Sequence, residues 1–493
     1  MSLEREAFWL RLSSFANEQP QKTALWGDDL KLDYSALLAE IELRRQLLRD
    51  ADAGVVALIL DNGPNALIWD LAILFEGLTC IALPIFFSAS QRLHCLEQSH
   101  ADLVIAERAY DAELEAAQYE VSRQFWRRTF SSSRNMPPKT AKLTFTSGTT
   151  GAPKGVCLSA DNLLTVAREL YEASQPVRPV HHVTLLPLAI LLENIGCYAA
   201  LYAGASISLA SQQTLGIQGA SGVDTPRLLA YLNQRRPDSM ILVPQLLLLM
   251  VTACEMGALD STMLRFVAVG GARVSLELLL RAQAAGIPIY EGYGLSECAS
   301  VVALNRPAAH RVGSVGKPLP HVQVRLAEDG EVLIGSVPML GYLGDTQPIP
   351  SWWPTGDLAE FDAQGYLYLK GRKKNQFVTS FGRNVNPEWV EAELTQGGRI
   401  AQAFVYGEAM AHNHALLWPY RAEITDLELD DAVAQANLTL PDYARIHSWT
   451  RLEQPFSTTN GLSTANGRPR RDAILNQYGH HFISSNPVKG LSS

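Results

Sequence analysis

The six cysteines, Cys80, Cys95, Cys157, Cys197, Cys254 and Cys298, show no CxxC spacing anywhere in the chain. That excludes a zinc knuckle or a disulfide frame legible in sequence, and the cysteines read as buried thiols of a reducing compartment. Basic tracts are missing too. With 41 Lys and Arg against 50 Asp and Glu the net charge is −9, which leaves nucleic acid without an electrostatic footprint. Long apolar runs are also scarce: ALIWDLAILFEGL is interrupted by Asp70 and Glu76, so no bilayer span is expected. The start, MSLEREAFWLRL, carries acidic residues where a secretory leader has basic ones. These absences lead to the expectation of a soluble, cytoplasmic protein. Internal repeats and low-complexity tracts are absent as well.

What is present is ordinary globular composition, 47% apolar and 18% charged over 493 residues, enough for roughly two to four domains. From residue 54 onward, short apolar runs alternate with helical patterns. GVVALIL (54–60), ADLVIA (101–106), HHVTLL (181–186), SMILVP (239–244), FVAVGG (266–271) and IPIYEGYG (287–294) are candidate strands. NALIWDLAILFEG and DNLLTVARELYEA are candidate helices between them, the second with Ser159 as N-cap. This alternation predicts a layered α/β domain with largely parallel strands. After Arg306, VQVRLAEDGEVLIGS and LAEFDAQGYLYLKG read as β-hairpins turning at Asp329–Gly330 and Asp362–Gly365. Beyond Lys374 the mixed pattern predicts a small, mobile α+β domain. The expected division is therefore 1–373, α/β with a β-rich subdomain, and 374–493. Segment 128–142, rich in Ser and Pro, reads as a loop.

The stretch LTFTSGTTGAPKGV, Leu143–Val156, concentrates hydroxyls and glycines around a single cation, Lys154. Backbone N–H groups point at an anion only where side chains do not obstruct them, so glycine-rich loops cradle phosphates. Hydroxyls add neutral donors, and one lysine adds a point charge that follows a phosphate. The spacing is not that of a P-loop. A surface loop of Thr, Ser and Gly is the bland alternative, but the apolar flanks LTF and GVCL point to a loop held between packed elements.

TSGTTGAPKGV resembles the phosphate-binding motif of the adenylate-forming superfamily, which includes acyl-CoA synthetases, aryl-CoA ligases, luciferases and peptide-synthetase adenylation domains. The remaining motifs follow in the superfamily's order. VGGA (269–272) resembles the segment facing adenine, and YEGYGLSE (290–297) the adenine and magnesium motif. PTGDLAEFDAQGYLYLKGRKK (354–374) resembles the ribose-binding run that ends at the interdomain hinge. NGLSTANGRPRRDAI (460–474) resembles the C-terminal motif that delivers a catalytic lysine. DNGPNALIWDLAILFEG and PIFFSASQRLHCL are similar to the long-chain acyl-CoA synthetase branch.

The resemblance implies an attack of a carboxylate on the ATP α-phosphate, then transfer of the acyl group to a thiol. Such chemistry rests on positioning and electrostatics more than on acid–base groups. It assigns the β- and γ-phosphates to Thr146, Ser147, Gly148, Thr149, Thr150, Gly151 and Lys154. Gly271, Ala272, Glu291, Gly292, Tyr293 and Gly294 would frame the adenine, with the Tyr293 ring against the base. Glu297 would bind Mg²⁺, with Ser296 beside it where the superfamily has threonine. Asp357 and Arg372 would hold the ribose, and Lys374 would be the hinge. The bland readings are a core tyrosine for Tyr293, a turn aspartate for Asp357 and an exposed arginine for Arg372. The implied cofactors are ATP, Mg²⁺ and CoA, or the phosphopantetheine of a carrier protein acting in trans.

The sequence departs from the superfamily at two places. Arg468 stands at the catalytic-lysine position; it keeps the charge on a longer planar fork, and Lys373 or Lys374 are candidates to compensate. Its bland reading is one arginine among three, with Arg470 and Arg471, on a solvated tail. Ile190, in LPLAILLEN, replaces a histidine of the wall between acyl and pantetheine sites, which leads to the expectation of a purely apolar wall. Leu188 lies where amino-acid-activating domains carry an aspartate, which disfavours α-amino acids, since a buried ammonium needs a partner. With VPQLLLLMV (243–251) as a pocket-lining helix start, the expected substrate is an apolar, fatty-type carboxylic acid. The competing readings are an acyl-AMP former that serves a carrier protein or an amine, and a nucleotide- and acyl-binding protein without turnover.

Overall fold

The computed structural model describes residues 2–122, 125–128, 136–146, 154–218, 222–335, 339–464 and 467–484. Two large mixed sheets form the bulk of the molecule. One runs from Lys317–Pro318 through Ile289–Tyr293, Phe266–Val269, Ser239–Leu242 and His181–Val183 to Thr23–Trp26 and Lys31–Asp33. The other carries Lys154–Ser159, Thr140–Thr146, Thr79–Ala82, Val55–Ile59 and Leu103–Ala106 in that order. Their inner strands are parallel, as βαβ crossovers require, and each expected strand of the N-terminal part is present within a few residues.

The helix Pro64–Glu76 shows why the layers stack as they do. Its residues are buried except Asn65 and Glu76, so it is apolar all round and belongs between two layers. Pro64 opens it, and Gly77, at φ +83, closes it in the left-handed conformation that glycine adopts without cost. The helix Ala160–Ser174 starts where expected, with Ser159 accepting from the Asn162 N–H. With Leu191–Tyr202 these helices fill one continuous core that includes Phe8, Leu67, Leu164 and Tyr198.

One expectation fails here. Segment 128–142 is not a loop to its end, because the strand Thr140–Thr146 begins inside it; residues 129–135 lie outside the described residues. Lys142, at the end of that segment, is 4% exposed. Its Nζ lies 2.6 Å from Asp70 Oδ1 and 2.6 Å from Asn194 Oδ1. Asp70 also accepts from Tyr198, Asn194 and Cys80. The strand pairs with Lys154–Ser159 and Thr79–Ala82, which carries this lysine to a buried acceptor set.

The hairpins after Arg306 are present as Gln323–Leu326 with Glu331–Gly335, and Trp352–Phe361 with Leu367–Arg372, in one antiparallel sheet. Towards the C-terminus, Ile400–Tyr406, Asn413–Pro419 and Ile446–Arg451 form a small sheet packed by Pro387–Thr395 and Asp426–Thr439. Its core, including Val390, Val405, Leu417 and Leu429, is separate from those before it, as a smaller second domain requires. Among the described residues no helix is long and apolar enough to cross a membrane, and all six cysteines are free.

Candidate active site

A cleft of about 2650 Å³ opens along the C-terminal ends of the parallel strands and reaches the small C-terminal sheet. Ligands of open α/β sheets bind at such strand ends. Lys154, Gly271, Ala272, Glu291, Gly292 and Tyr293 all line it. So do Gly294, Ser296, Glu297, Asp357, Arg372, Lys374 and Arg468. Residues 147–153, which include Ser147, Gly148, Thr149, Thr150 and Gly151, lie outside the described residues. Thr146 and Lys154 on either side are register partners in adjacent strands.

Asp357 is no turn residue. It sits within Trp352–Phe361, directly opposite Arg372 on the neighbouring strand, with Arg372 Nε 2.8 Å from its Oδ1. Tyr293 donates its hydroxyl to the other oxygen at 2.7 Å. Burial pushes the Asp357 carboxyl above its ordinary range, against the Arg372 charge and the Tyr293 hydrogen bond. The turn after Tyr293 demands glycine for space: a Cβ on Gly294 would lie 1.5 Å from the Ser300 carbonyl oxygen. That close approach folds Ser296–Cys298 back so that Glu297 faces the cleft.

Glu297 Oε1 accepts from the Tyr342 hydroxyl at 2.7 Å, and Lys154 Nζ lies 5.6 Å from the centre of the same ring. Tyr342 thus joins the cation and the carboxylate assigned to phosphate and magnesium. Sequence reasoning missed it, since MLGY carries no motif and its role depends on pairing with the Lys154–Ser159 strand. Glu291 also faces the cleft, with Oε2 buried and unpartnered among the described residues. Burial raises its pKa to about 8, opposed by the Arg273 charge.

Arg468 is exposed, yet its side chain is docked rather than free. Its Nε donates to the Gly271 carbonyl at 3.0 Å, and Nη2 reaches the same oxygen. Gly271 has φ +82, which turns its carbonyl towards the arriving side chain. The charges of Arg372, Glu388 and Asp357 all act on Arg468. Of the two candidate compensating lysines, Lys373 is drawn away to Asp329 and Glu331, whereas Lys374 lines the cleft. Burial and the Arg372 charge lower the Lys374 pKa.

The far arm of the cleft is lined by Val243, Pro244 and Leu246 at the start of the Pro244–Glu255 helix, as expected. Ile190 caps the Leu191–Tyr202 helix, and Leu188 is buried with its N–H on Asn62 Oδ1. Polar groups line the cleft beside these apolar ones. His182 and Ser239 line the arm as well, linked by a 3.2 Å hydrogen bond, and His182 is backed by Glu193 at 3.1 Å. Burial raises the Glu193 pKa, opposed by His182 and by the Leu186 N–H. Cys197 approaches His182 and Glu193, but those two already hydrogen-bond each other.

The cleft thus gathers the Asp357–Arg372–Tyr293 cluster and the C-terminal motif at the strand ends of an open α/β sheet, where ligands of such sheets bind. Comparison with known proteins makes the assignment specific. The model of the AMP-binding enzyme family matches residues 12–343, and the chain belongs to that family. A long-chain-fatty-acid–CoA ligase of Mycobacterium bovis is 28% identical over 419 residues, 69% of this chain and 68% of the relative. The indoleacetate–CoA ligase of Aromatoleum aromaticum is 30% identical over 284 residues, 53% of each chain. The structure of the anthranilate CoA ligase AuaEII in complex with anthranoyl-AMP superposes with a TM-score of 0.79, covering 95% of this chain and 96% of that one at 18% identity. That likeness carries the fold: a large N-terminal domain and a smaller C-terminal one.

Proposed function

We propose that this protein uses ATP to convert a carboxylic acid into an acyl adenylate and pyrophosphate, then passes the acyl group to a thiol, that of CoA. The observation that carries the reading is the Arg468–Gly271 contact. It brings the C-terminal motif into the cleft that holds Tyr293, Asp357 and Arg372. In this reading the Tyr293 ring packs on adenine, while Asp357 accepts from the ribose hydroxyls with Arg372 fixing its orientation. Segment 146–151 and Lys154 hold the phosphates. Glu297, braced by Tyr342, suits a magnesium ion, which favours one or two carboxylates plus phosphate oxygens and would offset phosphate charge.

As a carboxylate oxygen bonds to the α-phosphorus, the bond to the leaving pyrophosphate breaks. Arg468 supplies positive charge to the substrate carboxylate and the α-phosphate; Nε and Nη2 are committed to Gly271, leaving Nη1 for this role. Lys374, between the ribose strand and the first C-terminal helix, is the hinge at which residues 374–493 turn. The relatives named for fatty, indoleacetic and 2-succinylbenzoic acids support acid–CoA ligation as the common activity. The leucine- and valine-lined arm supports an acid with an apolar body.

The test is acyl-AMP formation, read by mass spectrometry of quenched reactions, beside CoA transfer from supplied acyl-AMP. Arg468→Ala is expected to slow adenylation by about a hundredfold or more, the scale of a lost transition-state donor. Arg468→Lys is expected to retain it. Adenylation that is indifferent to Arg468→Ala contradicts the assignment. A wild type that adenylates nothing while Arg468→Lys does so makes the natural chain a binding protein.

A further inference from the structure

The polar pair in the acid-binding arm is larger than a lone histidine. Ser239, His182 and Glu193 form a chain running from the cleft into the core: Ser239 Oγ to His182 Nδ1 at 3.2 Å, and His182 Nε2 to Glu193 Oε1 at 3.1 Å. All three are nearly buried, at 6%, 5% and 0% exposure. Glu193 Oε2 takes the Leu186 N–H at 3.1 Å. With Glu193 as a carboxylate that accepts the Leu186 and Leu185 N–H groups, His182 presents its Nε2 proton to it and leaves Nδ1 as an acceptor. Nδ1 then receives the Ser239 hydroxyl proton. What remains at the end of the chain is a pair of lone pairs on Ser239 Oγ, which makes no further hydrogen bond among the described residues.

The surroundings make that end selective. Gly196, inside the helix Leu191–Tyr202, faces this level of the arm: a Cβ there would lie 2.4 Å from Ile241 Cδ1 and 3.9 Å from His182 Nε2. Helix and strand therefore pack directly against the His182 ring, which fixes its orientation towards Ser239, a residue that lines the cleft. A methylene or bare aromatic edge would leave the acceptor unsatisfied in apolar surroundings, which is costly. A donor would satisfy it.

We infer that Ser239, oriented by His182 and Glu193, recognises a hydrogen-bond donor on the substrate, so that the acid has an apolar body bearing a hydroxyl or N–H group. This rests on the acid-activation reading and sharpens its substrate class. His182 and Glu193 are positioning residues; Ser239 makes the contact.

The test uses the full chain and matched sets of aryl and alkanoic acids that differ in one group: hydroxyl, methoxy or hydrogen. Acid-dependent exchange of pyrophosphate into ATP gives kcat/KM, and isothermal titration of the same acids gives affinity. The expected result is about a ten- to hundredfold preference for a hydroxylated acid over both counterparts, the scale on which a site built for a donor rejects analogues that lack it. Ser239→Ala is expected to bring that ratio to about one, and the similar-sized Ser239→Cys to lower it if the alanine variant does not fold. No preference in the wild type, a preference for methoxy, or a ratio unmoved by both variants overturns the inference. Selective binding without exchange contradicts the adenylation reading and leaves this one standing. Failure to bind any of the acids overturns both.

Discussion

Two carboxylates in this molecule have almost the same partners and opposite fates. Asp70 receives a cation, Lys142, and a tyrosine hydroxyl, Tyr198; Asp357 receives a cation, Arg372, and a tyrosine hydroxyl, Tyr293. Asp70 is also held by Asn194 and Cys80, and both ends of its ion pair are sealed at 5% side-chain exposure. Arg372 keeps 32% of its side chain in the open and lines the cleft with Asp357. The pKa directions follow. Burial would raise the Asp70 pKa, but the Lys142 charge and the hydrogen bonds outweigh it, and the group is held below its ordinary range. At Asp357 burial wins. What separates scaffold from site is unspent hydrogen-bonding capacity with access to the cleft.

The sharpest way to break the comparison is to remove each cation or acid in turn. Lys142→Met leaves the Asp70 charge sealed without a cation, held only by Tyr198, Asn194 and Cys80, and is expected to cost about 3–5 kcal/mol in chemical denaturation. Replacing Asp70 by leucine in the same chain should recover much of that loss, since the uncompensated charge goes with it. Asp357→Ala is expected to act the other way. The denaturation midpoint should move little, while kcat/KM for ATP should fall by about ten- to a hundredfold, the worth of a hydrogen bond to a charged acceptor.

A smaller effect sits at Glu291, whose pKa is raised to about 8 by burial, against the Arg273 charge. The folded protein holds that proton more tightly than the unfolded chain does. Its contribution to stability is therefore full at acidic pH and lost as pH rises from the ordinary carboxylate range through about 8. Glu291→Gln should flatten the fall in melting temperature over that window. An unchanged pH profile would mean that Glu291 titrates normally.

The same contrast explains what the sequence disclosed. Asp357, Tyr293, Glu297 and Arg468 belong to short motifs whose chemistry is local, and all of them meet in the cleft. Strand–helix alternation and the Asp–Gly hairpin turns were legible for the same reason, since each depends on residues a few positions apart. The end of segment 128–142 was misread because the acceptor of Lys142 lies 72 residues away. Tyr342 was missed because it meets Glu297 across 45 positions. The Ser239–His182–Glu193 chain went unseen because its links span 57 and 11 positions, and only the packing of helix on sheet brings them together.

The central claim is that this cleft joins a carboxylic acid to AMP. Exchange of labelled pyrophosphate into ATP, measured with and without acid and without CoA, tests it most directly. The account predicts exchange that depends on an acid with an apolar body and that falls by about ten- to a hundredfold in Asp357→Ala. Bound ATP with no acid-dependent exchange across short, long and aromatic acids would contradict it.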